Sequence, residues 1–111
     1  MRFLRSTLII AVLTAIAACS TRSEPTGTVD PSAVLVQDNQ FNPATTTVNA
    51  GTTVRWTWQG ANSHTVSFTG GGPASAVQTA GIYDRTFATP GTFPYLCAIH
   101  GVSMSGTVIV Q

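Results

Sequence analysis

Beyond residue 32, apolar and polar side chains alternate in short runs, and no stretch repeats its apolar positions at helical spacing. The alternation predicts strands over Ala33–Gln37, Thr45–Val48, Thr53–Trp58, His64–Phe68, Ile82–Phe87, Thr92–Cys97 and Gly106–Val110. Between them lie turn signals: Asn42-Pro43, Asn49-Ala50-Gly51, Gly60-Ala61-Asn62, Gly70-Gly71-Gly72-Pro73 and Thr89-Pro90-Gly91. Seven short strands at this spacing predict an all-β chain, a two-sheet Greek-key β-sandwich. Val54, Trp56 and Trp58 share one face, as do Tyr83, Arg85 and Phe87, and again Phe93, Tyr95 and Cys97. These aromatic residues read as core. Val108 and Val110 alternate with Thr107 and Ile109, so the last strand is expected to be covered on both sides. No internal repeat and no second domain is visible.

The first residues follow another pattern. Arg2 and Arg5 precede an apolar run from Leu8 to Ala18, shorter than the roughly 20 residues that span a bilayer comfortably. The run ends in small residues, as a cleaved secretory signal does. Ile16-Ala17-Ala18-Cys19 resembles the lipobox of bacterial lipoproteins, with Ile16 where Leu is more usual; the resemblance implies cleavage before Cys19 and acylation of its thiol. Ser20 to Pro31 is polar, holds two prolines and reads as a flexible tether. The expected organisation is a signal peptide over 1–18, a lipidated Cys19 with its linker over 19–32, and one domain over 33–111. The protein would then be exported and anchored to a bacterial membrane, in the periplasm or at the cell surface.

Charge excludes some partners. Without residues 1–18 the chain keeps three arginines, Arg22, Arg55 and Arg85, against Glu24, Asp30, Asp38 and Asp84; it has no lysine. A net charge of about −1 offers no footprint for nucleic acid and little long-range steering toward any partner. A monomer is expected.

The chemistry lies in a few residues. The chain has two Cys, two His and two Met. With Met1 as initiator and Cys19 at the lipid anchor, one thiol (Cys97), two imidazoles (His64 and His100) and one thioether (Met104) remain. That is the donor set of a blue-copper site, with two His and a Cys in a plane and a weak axial Met. The spacing C-x2-H-x3-M fits a strand end followed by a loop from Ala98 to Ser103, and His64 can approach from a neighbouring loop at the same end of the sandwich. An unpaired thiol in an oxidising compartment calls for an explanation, and metal ligation supplies one. A Cys19–Cys97 disulfide is the alternative. Taken singly, His64 would be a turn or core histidine, Cys97 a small buried hydrophobe and Met104 core filler.

The segments VNAGTTVRWTW, NSHTVSF, TFATPGTFPYLCAIHG and MSGTVIV resemble the cupredoxins, of the plastocyanin, pseudoazurin and amicyanin type, from about Ala33 to Gln111. The resemblance implies that His64, Cys97 and His100 are equatorial copper ligands, both histidines through Nδ1, with Met104 axial. It also implies a single type 1 copper, no catalytic residues, and an electron port at His100 within an apolar patch including Gly101, Val102 and Pro73. Redox partner proteins such as a c-type cytochrome, an oxidase or a reductase would dock there. Three features depart from familiar members. Three residues separate His100 from Met104, where amicyanin-type loops have two and plastocyanin-type loops four. Thr65 stands where many have an Asn that ties the ligand loops together; its hydroxyl could replace that tie, and its N–H could reach the Cys97 sulfur. Trp58 also replaces a polar Asn.

The implied function is one-electron transfer between Cu(II) and Cu(I), not enzymatic catalysis. A copper chaperone or storage module is the alternative, although such modules use more Met and His ligands in exchangeable sites. An oxidase or nitrite reductase needs further copper centres, and the two histidines are already engaged. Zinc would fit the same donors as a misloaded metal.

Overall fold

The computed structural model describes residues 30–111, and the expected signal, Cys19 and most of the linker lie outside them. The described residues form eight strands: β1 (Ala33–Gln37), β2 (Gln40–Asn42), β3 (Thr45–Val48), β4 (Thr52–Trp58), β5 (Ser67–Phe68), β6 (Ile82–Phe87), β7 (Gly91–Cys97) and β8 (Gly101–Val110). They form two four-stranded sheets, ordered β2-β1-β4-β6 and β3-β8-β7-β5. Both sheets are mixed: β1 runs parallel to β4 and β3 parallel to β8, and the other pairs are antiparallel. This is the all-β sandwich that the alternation predicts.

The inward faces are those read from the sequence. Val54, Trp56 and Trp58 are buried while Arg55 between them is exposed. Trp56 sits at the centre, its ring 5.4 Å from Tyr95 and 5.9 Å from Phe68 in edge-to-face contacts. Truncating an aromatic so placed costs about 3–5 kcal/mol. Burial pushes the Tyr95 hydroxyl up to about 12, so it stays protonated. Thr107 and Ile109 are half-covered, which accounts for the apolar character of both faces of β8.

β4 and β7 each begin one residue earlier than expected, and three strands differ further. β2 was not foreseen, because Gln40-Phe41-Asn42 is only three residues long and borders a turn; Phe41 nevertheless fills the core, its ring 4.7 Å from Tyr95. The expected strand His64–Phe68 shrinks to Ser67–Phe68. His64 instead makes an isolated bridge to Gln78, and Val66 bonds Ser75 in both directions. β8 begins at Gly101 rather than Gly106. The latter two differences arise at the candidate site.

Candidate metal centre

Cys97 is the last residue of β7. The turn Ala98–His100 follows it, so the curled segment is shorter than the Ala98–Ser103 loop expected. Its closure is a hydrogen bond from the His100 N–H to the Cys97 carbonyl at 3.2 Å. Beyond it, the register of β7 against β8 jumps: Cys97 faces Gly101, yet Leu96 faces Ser105. Val102, Ser103 and Met104 therefore have no partner on β7 and form a bulge, which bends a strand and re-aims its side chains. A regular strand would carry Met104 about 10 Å past Gly101. The bulge returns the chain to the level of Leu96, beside Cys97, and Met104 is buried. Of the three residues between His100 and Met104, Gly101 is paired with Cys97, while Val102 and Ser103 join Met104 in the bulge.

His64 reaches the same end from the segment between β4 and β5. Its backbone pairs with Gln78 on one side. On the other, Thr65 turns its N–H to the Cys97 sulfur at 3.5 Å. A residue that gives its N–H to a thiol cannot give it to a strand ladder, which is why β5 starts only at Ser67. The Thr65 hydroxyl accepts a 2.8 Å bond from the Ala98 N–H. One side chain thereby ties the His64 segment to the Cys97 turn, as the sequence suggested.

The donors converge. Nδ1 of His64 lies 3.8 Å from the Cys97 sulfur and Nδ1 of His100 lies 3.5 Å from it. The three donor atoms all fall within 4.8 Å of one another. A metal bonded at about 2.3 Å to sulfur and 2.0 Å to nitrogen, with angles between tetrahedral and trigonal, sets sulfur and nitrogen about 3.5–3.7 Å apart. The observed spacings match that requirement, and the soft donor set matches copper. Cys97 is a free thiol and fully buried. Burial pushes its pKa up, but the Thr65 N–H, the rings of His100 and His64 and the His100 N–H together outweigh burial and hold it at about 6. These contacts favour the thiolate, the form that binds metal.

Asp38, an ordinary turn aspartate by its sequence neighbours, completes the site. Its Oδ1 lies 3.1 Å from Nε2 of His64. A carboxylate only accepts, so Nε2 carries the hydrogen and Nδ1 presents its lone pair toward Cys97. Asp38 is itself held by the N–H groups of Asn62 and Ala61, at 3.0 and 3.1 Å. Those bonds, the Asn62 N–H foremost and then His64 and Ala61, keep its carboxyl below the usual carboxylate range. The carboxylate packs directly on Gly60, where any Cβ would collide with it. A signal was available in hindsight: Asp38-Asn39 is a turn pair ending β1, facing a Gly-Ala-Asn turn. Around His100 the surface is apolar, with Val102 84% and Ile99 51% exposed. Val102 was expected there and Ile99 was not.

A family description of the cupredoxin-like domain matches residues 7–110. The chain belongs to the cupredoxin-like family. Among solved structures, this cupredoxin is similar to an amicyanin variant in its oxidised state, at 26% identity and a TM-score of 0.65, over 71% of this chain and 80% of that one. It shares its fold with a purple cupredoxin from Nitrosopumilus maritimus, at 20% identity and a TM-score of 0.64, over 71% and 98% of the two chains. A mutant plastocyanin of fern matches at 24% identity and a TM-score of 0.62, over 71% and 99%. Within this cupredoxin, His64, Cys97 and His100 are positioned to bind one copper ion, with the buried Met104 nearby.

Proposed function

We propose that this cupredoxin is a one-electron carrier, with copper held by His64, Cys97 and His100 and Met104 as the weak axial donor. Copper bound there would supply the Cu(II)/Cu(I) couple, which thiolate, imidazole and thioether together accommodate in either state. The observation that carries the reading is the convergence of one thiolate and two Nδ1 atoms at metal-bonding spacing, with His64 and Cys97 fully buried and His100 half-buried. The chain's own part is to hold these donors still. Asp38 and Gln78 fix His64, Thr65 locks the two ligand segments together, and the packed core excludes water from Cys97.

Electrons would pass at His100, through the apolar surface made by Ile99 and Val102. Transient redox encounters use small interfaces of this kind. A soluble or membrane-bound redox protein, such as a c-type cytochrome, an oxidase or a reductase, is the proposed partner. The protein is not itself an enzyme in this reading, because both of its histidines belong to the one cluster. Export and acylation at Cys19, which would tether a monomeric carrier outside the cytoplasm, complete the proposal.

Loading with Cu(II) followed by absorption spectroscopy and a redox titration tests it. An intense visible band from the Cys97 thiolate and a reversible one-electron wave are expected, and Cys97→Ser should abolish the band. A colourless Cu(II) form would sink the idea. Met104→Leu should keep the band and move the potential; an unmoved potential would remove Met104 from the site.

A further inference from the structure

The two described arginines, Arg55 and Arg85, have opposite fates. Arg55 lies on the outer face of β4 and forms a two-pronged bond to Asp84, at 2.8 Å from each nitrogen. Arg85, next to Asp84 on β6, faces the other way, in register with the buried Val54. Its guanidinium lies 4.1 Å from the centre of the Phe68 ring and 4.9 Å from that of Phe87. It makes no hydrogen bond or ion pair among the described residues, and its Nη1 is buried without a partner. The described acids are all committed elsewhere: Asp84 to Arg55, Asp38 to the His64 loop, and Asp30 to Ser32. An aromatic face offsets part of the cost of covering a guanidinium. It does not satisfy N–H donors, and a buried donor left unpaired costs about 1–3 kcal/mol.

The arginine opens onto a cleft of ≈ 470 Å³, within the range of small-ligand sites. β6 and β5 are the edge strands of the two sheets, and β5 covers β7 only at Leu96 and Tyr95. Thr92, Phe93 and Pro94 of β7 are therefore left to line the gap, with Phe68 and the Gly70–Gly72 loop as the other walls. Gly72, at φ 98°, brings its backbone so close that a Cβ there would sit 3.1 Å from Nη2 of Arg85. The loop thus adds no side chain that could fill the cleft or pair the charge. From Phe93 to Cys97 is about 13 Å along β7, so this cleft is separate from the copper ligands.

We infer that the Arg85 cleft is a binding site for a carboxylate carrying an apolar body. The planar fork of a guanidinium matches a carboxylate in two parallel bonds, and the Phe68 and Phe93 rings and Pro94 supply the apolar wall. The carboxylate has two possible sources: a free organic acid, or Glu24 of this chain, upstream of the described residues.

The test is a titration of the full chain, 15N-labelled, with phenylacetate, followed by NMR. Saturable shifts at Gly70, Gly71, Gly72 and Phe93 are expected, with phenylacetamide and inorganic phosphate binding at least about tenfold more weakly, as loss of the charge-assisted pair or of the apolar contact requires. Arg85→Gln should lose at least about tenfold in affinity, and Arg85→Lys should fall between. Should Arg85→Gln fail to fold, the comparison of acid with amide on the unaltered chain decides. No saturable shift in either the unaltered chain or Glu24→Gln, or, in whichever of them binds phenylacetate, equal binding of the amide or phosphate binding as tight as phenylacetate, would overturn the assignment. Glu24→Gln separates the sources: phenylacetate binding only in that variant identifies Glu24 as the native occupant, and equal binding in both chains identifies a free acid.

Discussion

His64 and His100 aim the same ring nitrogen at the same sulfur from opposite surroundings. His64 has no exposed surface; its ring is bonded to Asp38 and its backbone to Gln78 and, through Thr65, to Cys97. His100 is half-buried, ends a three-residue turn and is flanked by exposed Ile99 and Val102. The rings lie 5.1 Å apart, yet one is built into the sandwich and the other into its surface. A carrier needs both: donors that do not move when the charge changes, and one donor that a partner can approach.

The largest effect that could break this contrast comes from removing each ring. In His100→Gly the gap opens to solvent, so added imidazole should enter it and restore the visible band of the Cu(II) protein. In His64→Gly the gap is enclosed, and imidazole should restore little. Equal rescue, read by absorption, would show that the two sides are not different in kind.

Asp38→Asn comes next. The amide keeps one acceptor oxygen, which can still take the Asn62 N–H, but it loses the acceptor for the Ala61 N–H and the charge that holds Nε2–H of His64. Partners of this type are worth about 10–100-fold in metal affinity, and competition with a chelator should show a loss in that range. An unchanged affinity would mean that burial alone fixes His64.

Thr65→Val tests the link between the two sides. It removes the hydrogen bond from the Ala98 N–H, a loss of about 0.5–1.5 kcal/mol, measurable by urea unfolding of the metal-free protein. Thr65→Ser should recover most of it. The smallest effect belongs to the exposed pair Arg55–Asp84, a baseline far from the site. The Arg55 hydrogen bond, opposed by slight burial and helped by its charge, holds the Asp84 carboxyl below 3.8. A folded pKa lower than the unfolded one adds stability above the unfolded value and loses it as pH falls through the folded value. Asp84→Asn should therefore flatten acid unfolding only slightly on the acid side of 3.8; a large change would mean that the outer face matters as much as the site.

The sequence was most legible where one pattern governed a segment. β1, β3 and β6 have the bounds that alternation predicts, since each has one covered and one open face. Legibility failed where a backbone group served the site. Thr65 gives its N–H to sulfur and truncates β5; the Val102–Met104 bulge lengthens β8 while interrupting its pairing. No periodicity encodes either. His64, Cys97 and His100 could be found because their residue types are rare in this chain. Asp38 could not, because an aspartate in a turn is ordinary until its neighbour across space is known. Ile99 went unremarked for a similar reason: an apolar residue in a short turn reads as core until its exposure is seen.

β1 runs from Ala33 to Gln37, and Asp38, the next residue, touches His64. Asp30 therefore enters the sandwich at the end away from the copper donors. If Cys19 is the membrane anchor, as proposed, eleven residues of leash reach at most about 40 Å, and they pull on the far end. The domain would hang like a lantern from its base, with the His100 face turned outward toward arriving partners and away from the lipid. Moving the anchor to the copper end, with the same leash, should leave the site intact and slow electron exchange by pointing it at the membrane.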